Sequence, residues 1–151
     1  MAVYTEVSDD DLVTFIARYD IGDVLSSKGI AEGVENTNYL VTTEAGRFIL
    51  TLYELRVART DLPFFLGYME YLAAAGIPCP VPVHARDGSV LQKLAGRPAA
   101  LVTFLDGMWK RRPGPAHCHA LGRALARLHA AGDSFAGRRA NALGQPTWRP
   151  L

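Results

Sequence analysis

The sequence predicts an α+β fold, and three observations carry that reading. Between about residues 24 and 53 the apolar side chains recur with a period of two, in runs separated by short polar loops, which is the pattern of antiparallel strands. Over residues 62–75 the period lengthens to that of an amphipathic helix. A short apolar run at 99–105 then returns the chain to a buried strand, before a last helix over about 115–131. A strand-rich region with one inserted helix is α+β rather than a parallel, alternating arrangement.

The elements follow in order. Ser8, Asp9, Asp10 and Asp11 open a first helix: the hydroxyl caps an orphan amide, and the carboxylates suit the positive end of the helix dipole. Leu12, Phe15, Ile16 and Tyr19 form its apolar face, and it is expected to stop near Gly22. Residues 25–30 read as a strand, Glu32-Gly33-Val34-Glu35-Asn36-Thr37 as a polar loop, 38–43 as a second strand, Glu44-Ala45-Gly46 as a turn and 48–53 as a third strand. Short loops make this a meander. Thr60 or Asp61 caps the next helix, Pro63 occupies its first turn, and Leu62, Phe65, Leu66, Met69, Leu72 and Ala73 line one stripe. Gly76 and Pro78 end it. Pro78, Pro80 and Pro82 hold an extended connector; 83–85 and 90–91 flank the turn Arg86-Asp87-Gly88; Gly96-Arg97-Pro98 turns into the strand at 99–105. Residues 109–115 read as a linker. The last helix carries Leu121, Leu125 and Leu128 on the face expected to point inward.

Composition excludes several function classes. With 49% hydrophobic and 21% charged residues the chain is not a disordered tail. No apolar run approaches the ~20 residues of a membrane span, and the early acidic residues do not fit a signal peptide. Sixteen basic against fifteen acidic residues give a net charge of +1, which argues against nucleic acid as partner. Cys79 and Cys118 cannot build a disulfide scaffold, so a cytoplasmic location is expected.

Motifs for chemistry are sparse. His117, Cys118 and His119 are consecutive, and successive helical residues point about 100° apart, so they do not converge on a metal ion; no metal site is expected. No Gly-x-Ser-x-Gly elbow is present. The most informative stretch is the loop after the first strand, where Gly33, Glu35, Asn36, Thr37 and Asn38 combine small polar side chains with accessible amides, a composition suited to phosphate oxygens.

The order of strand, phosphate-type loop, two strands, capped helix, strand and polar hinge is that of a protein-kinase-like N-lobe. Ala31-Glu32-Gly33-Val34-Glu35-Asn36-Thr37-Asn38-Tyr39, Phe48-Ile49-Leu50-Thr51-Leu52-Tyr53-Glu54, Leu62-Pro63-Phe64-Phe65 and Leu121-Gly122-Arg123-Ala124-Leu125-Ala126-Arg127-Leu128-His129 together resemble homoserine kinases of the aminoglycoside-phosphotransferase/choline-kinase type. The last stretch is shared across the superfamily; the first two are specific to the homoserine kinase group. The resemblance implies ATP-dependent phosphorylation of the L-homoserine hydroxyl to O-phospho-L-homoserine, a step of threonine biosynthesis, with Mg2+ in the complete family enzyme. It implies that Gly33, Val34, Glu35, Asn36, Thr37 and Asn38 form the flap over the ATP phosphates. Ile30 and Ile49 would flank the base, Thr103, Phe104 and Leu105 would form the hinge whose backbone pairs with adenine, and Thr51 would stand where kinases of this fold commonly carry a lysine. Glu70 then has no lysine to hold and receives no role.

Phosphoryl transfer in this fold needs an Asp with an Asn five positions later and a further metal-binding Asp. No Asp here has that Asn; Arg138 stands five after Asp133, and Asp106 lies where the hinge belongs. No catalytic residue is therefore assigned. The resemblance implies an N-terminal part of a longer enzyme, inactive alone, with 1–107 as the ATP-binding N-lobe and 108–151 as linker and start of a helical C-lobe. The alternatives are another small-molecule kinase of the superfamily, acting on an aminoglycoside, choline or a methylthio-sugar, or a non-catalytic nucleotide-binding remnant.

Overall fold

The computed structural model describes residues 4–31, 35–54, 57–141 and 144. Helix α1 spans Asp9–Ile16, and the Ser8 hydroxyl accepts from the Asp11 amide at 3.1 Å, as its sequence predicts. It ends well before Gly22. The Arg18 and Tyr19 amides turn back to the Phe15 and Ile16 carbonyls, and Tyr19 leaves the helix to bridge Ala85, fully buried. Burying a large aromatic ring against the sheet outweighs one more helical turn.

Strands β1 (Val24–Ile30), β2 (Asn36–Thr43), β3 (Gly46–Tyr53), β4 (Gln92–Leu94) and β5 (Arg97–Thr103) form one antiparallel sheet in the order β1-β2-β3-β5-β4. The meander is as expected, but β2, β4 and β5 are displaced, β4 covering Gln92–Leu94 rather than 90–91. β2 begins at Asn36, so Asn36 and Thr37, read as loop, pair with Tyr53 and Leu52. β5 begins and ends two residues early. Ala95 and Gly96, both at positive φ (46° and 77°), make the tight hairpin turn, and Pro98 sits in the strand where β5 has not yet joined β3, a position that needs no amide on that edge. Residues 83–85 form no strand; only Pro82 and Ala85 make isolated bridges.

Register assigns the two faces. Val41, Phe48, Leu50, Leu52, Ala99 and Leu101 point toward α1 and join Leu12, Phe15, Ile16 and Tyr19 in the core. Directly paired residues share a face, so Lys28, Ile30, Asn38, Leu40, Ile49, Thr51, Ala100 and Val102 point the other way.

Helix α2 (Leu62–Ala74) follows a 3-10 turn at Arg59–Asp61. Asp61 holds the N-cap position without a side-chain cap bond, because its carboxylate is taken by Arg139 at 2.7–2.8 Å. Leu62, Leu66 and Leu72 are buried, outside the α1-side core, while Phe65 of the expected stripe is 37% exposed. Glu70 reaches His84 in the connector at 2.6 Å. Helix α3 (Pro115–Gly132) buries none of its residues. Leu121 and Leu125, expected inward, are exposed at 61% and 45%. The Tyr71 hydroxyl donates to the Ala131 carbonyl at 3.0 Å, tying the end of α3 to α2.

Candidate functional site

On the sheet face away from α1, a cleft of about 310 Å³ is lined by Lys28, Gly29, Ile30, Ala31, Leu40 and Phe104. Alternation along β1 aims Lys28 and Ile30 the same way, and the pair Lys28–Leu40 puts Leu40 beside them. Phe104 closes the cleft from the residue after β5. Its amide donates to the Arg47 carbonyl at 3.2 Å, and the Arg47 guanidinium lies 4.6 Å from its ring centroid, a cation–π contact that fixes the ring. Ile49, paired with Leu40, continues the same face. The walls are apolar, with one cation at the rim: Lys28 is exposed and has no ion-pair partner among the described residues. Pattern reading of the strand passed over Lys28; its place two residues before Ile30 on an alternating strand was the available signal.

Thr51 and Asn38 sit deeper on this face. They are paired across β2 and β3, and the Thr51 hydroxyl donates to the Asn38 carboxamide oxygen at 2.8 Å, leaving the Asn38 NH2 group as a donor. The sequence-predicted residues are therefore divided. Ile30 and Phe104 line the cleft; Asn38, Ile49 and Thr51 share its face. Thr37 does not. It is fully buried on the α1 side, where its hydroxyl serves the protein itself. Asn36 is in the ladder, Glu35 is exposed just ahead of it, and Gly33 and Val34 lie outside the described residues.

At the hinge, part of the backbone is already in use. The Thr103 amide donates to the Val81 carbonyl at 2.9 Å and the Phe104 amide to Arg47, so neither N–H is available to a base. Leu105, 48% exposed, is the first residue past the strand whose amide is free of the sheet.

No group of three or more His, Cys, Asp or Glu able to hold a metal ion occurs among the described residues. The His117 ring nitrogen Nδ1 accepts from the Gly114 amide at 3.1 Å, at the start of α3. Asp106 is paired with Arg47 at 2.5 Å on the surface, and Asp133 caps the exposed end of α3. The Gly88 carbonyl, then the Glu70 carboxylate, hold the His84 imidazolium pKa above its usual value. No helix of the described residues is long and apolar enough to cross a membrane.

The solved structure of a spectinomycin phosphotransferase, crystallised with ADP and spectinomycin, superposes with a TM-score of 0.65 at 17% identity, over 84% of this chain and 39% of that one; the likeness is one of fold. The homoserine kinase of Bradyrhizobium diazoefficiens is 60% identical over all 151 residues, which cover 46% of that protein. That of Methylobacterium sp. strain 4-46 is 64% identical over the same span, 47% of its length. The chain thus spans about half the length of the curated relatives it matches. The model of the phosphotransferase enzyme family (APH) matches residues 26–150, from the strand that carries the cleft to the segment after α3. The chain belongs to the phosphotransferase enzyme family.

Proposed function

We propose that this chain is the nucleotide-binding part of a homoserine kinase, which moves the terminal phosphoryl group of ATP to the side-chain hydroxyl of L-homoserine. The observation that carries the substrate is the 60–64% identity to homoserine kinases along the whole chain. The cleft supports the cofactor. Ile30, Leu40, Ile49 and Phe104 offer apolar surfaces of the kind a purine ring packs between, and polar groups stand on the same face at Lys28, Asn38 and Thr51.

In this reading residues 1–107 are the nucleotide-binding lobe and 108–151 are linker and start of the second lobe. The Leu105 amide offers the donor for the base. Asn38 and Lys28 face the phosphates; Thr51, in the common lysine position, acts by orienting the Asn38 carboxamide rather than by charge. Glu35 and Asn36, with Gly33 and Val34, belong to the flap by family resemblance. Bound ATP supplies the group transferred, and the family's Mg2+ would screen its phosphates. Among the described residues no group of three or more His, Cys, Asp or Glu could hold a metal ion. L-homoserine as substrate and the cytoplasm as location belong to the same proposal.

A chimera tests it. Residues 1–151 replace the corresponding part of the Bradyrhizobium diazoefficiens homoserine kinase, and ADP release is followed with homoserine, choline or spectinomycin. The expected result is release that depends on homoserine alone. Release with another acceptor, or none from a chimera that melts cooperatively, would contradict the proposal.

A further inference from the structure

The polar group buried behind the cleft is built as a complete unit. The Thr37 hydroxyl accepts from the Tyr4 and Thr5 amides at 2.9 and 3.1 Å and donates to Glu54 Oε1 at 2.8 Å, which uses its one donor and both acceptor sites. The Thr5 hydroxyl donates to the same Glu54 oxygen at 2.7 Å. The second oxygen of Glu54, whose side chain is 8% exposed, takes the Arg97 guanidinium at 3.0 Å. Two residues along β2, on the same face, the Tyr39 hydroxyl donates to the Thr5 carbonyl at 3.0 Å and accepts from the Val7 amide at 3.2 Å. Residues 4–7 have no strand of their own, yet their backbone groups are met by side chains of β2. A buried carboxylate is stable only when its lone pairs are filled in this way.

Thr37 and Asn38 are neighbours that point to opposite faces. Thr37 is held behind the sheet by residues 4–5 and Glu54, and Asn38 stands in front of it, bonded to Thr51. We propose that residues 4–7, Thr37, Glu54 and Arg97 form a clasp that fixes the start of β2, and that Thr37 and Glu54 are thereby positioning residues for the nucleotide, acting through Asn38. The clasp rests on reading the front cleft as the nucleotide site. It occupies the position at which family resemblance placed a phosphate-contacting threonine and gives that residue a different duty. Loss of the hydroxyl at 37 removes the acceptor that the Tyr4 and Thr5 amides share and one of the two hydroxyl donors to Glu54 Oε1, leaving that oxygen to the Thr5 hydroxyl alone.

The test uses Thr37→Val, which keeps the shape and removes the hydroxyl, Thr37→Ser, which keeps the hydroxyl, and Thr43→Val as a control. Thr43 lies at the far end of the same strand, buried, with its hydroxyl on the Ile21 carbonyl at 2.7 Å. Amide hydrogen exchange at residues 36–40 and affinity for a fluorescent ATP analogue are both measured. Thr37→Val is expected to speed exchange there roughly tenfold and to weaken the analogue several-fold, with Thr37→Ser restoring both and Thr43→Val changing neither. Unchanged exchange at 36–40 in Thr37→Val overturns the clasp. Faster exchange with unaltered affinity overturns its role in positioning nucleotide. If the unsubstituted protein binds no analogue, the nucleotide reading fails, and the exchange arm still decides the clasp.

Discussion

His84 faces an oxygen with each ring nitrogen: the Gly88 carbonyl lies 3.0 Å from Nδ1 and the Glu70 carboxylate 2.6 Å from Nε2. A neutral imidazole has one N–H and cannot serve both. Both oxygens therefore favour the charged ring, the carbonyl first and then the carboxylate raising its pKa. Asp87 in the adjoining turn is held ionised by the Ser89 hydroxyl and amide, and Arg86 binds the Ala17 carbonyl instead. Because the folded pKa is raised, the stabilisation is complete below the unfolded value of about 6.5 and is lost as pH rises through the folded one. His84 is half exposed, so the effect on the melting temperature is small, about 1–3 °C. Thermal melts from pH 5.5 to 9 should show that decline in the unsubstituted protein and not in His84→Gln; equal slopes would show that the pair contributes nothing. This contact was not legible in the sequence. Glu70 could be seen to lack a lysine, but its partner lies fourteen residues away, across a connector whose path is set by the Pro82 and Ala85 bridges. Thr37 failed for a related reason: a polar residue at a strand start reads as exposed, and only the register puts it behind the sheet.

At the scale of elements, the periodic segments were legible and their ends were not. Helix α2 was visible to within a residue because its stripe, first-turn proline and terminal glycine all agree. The end of α1 was hidden by tertiary packing of Tyr19, and β5 was displaced because Pro98 reads as a turn residue when its one-sided pairing is unknown. Helix α3 was found, but not the fate of its leucines. With Ile77 and Pro78, the side chains of Ala124, Leu125, Arg127 and Leu128 line an open groove of about 220 Å³. Each leucine that could be buried carries about 1.5–3 kcal/mol of unrealised transfer free energy, and exposed apolar faces of this kind promote association. Replacing Leu121, Leu125 and Leu128 by Gln in residues 1–151 should reduce dye binding and light scattering while leaving the strand signal in circular dichroism intact. An unsubstituted chain that is already monodisperse and binds no dye would contradict this.

For the whole molecule, the sheet acts as a partition. Its α1 side carries the core and the clasp, and its other side carries the cleft, so the same alternation that buries Leu50 and Leu101 puts Thr51 and Ile49 on the cleft face. The α+β class and the meander were legible because period-two and period-3.6 segments alternate cleanly. The side-chain set of the cleft was legible only in part. Ile30, Asn38, Ile49 and Thr51 follow from strand parity once the strands are recognised, and so does Lys28, two residues before Ile30 on β1; Phe104, beyond the end of β5, is placed by its bond to Arg47. Whether the proposed cleft binds the nucleotide is decided by titrating residues 1–151 with a non-hydrolysable ATP analogue and following backbone amide resonances. Saturable shifts are expected at Lys28, Ile30, Leu40, Phe104 and Leu105, with Lys28→Met weakening the binding roughly five- to tenfold through loss of its charge. No saturable shift at these residues, or shifts centred instead on Ile77 and Leu125, would contradict binding in this cleft.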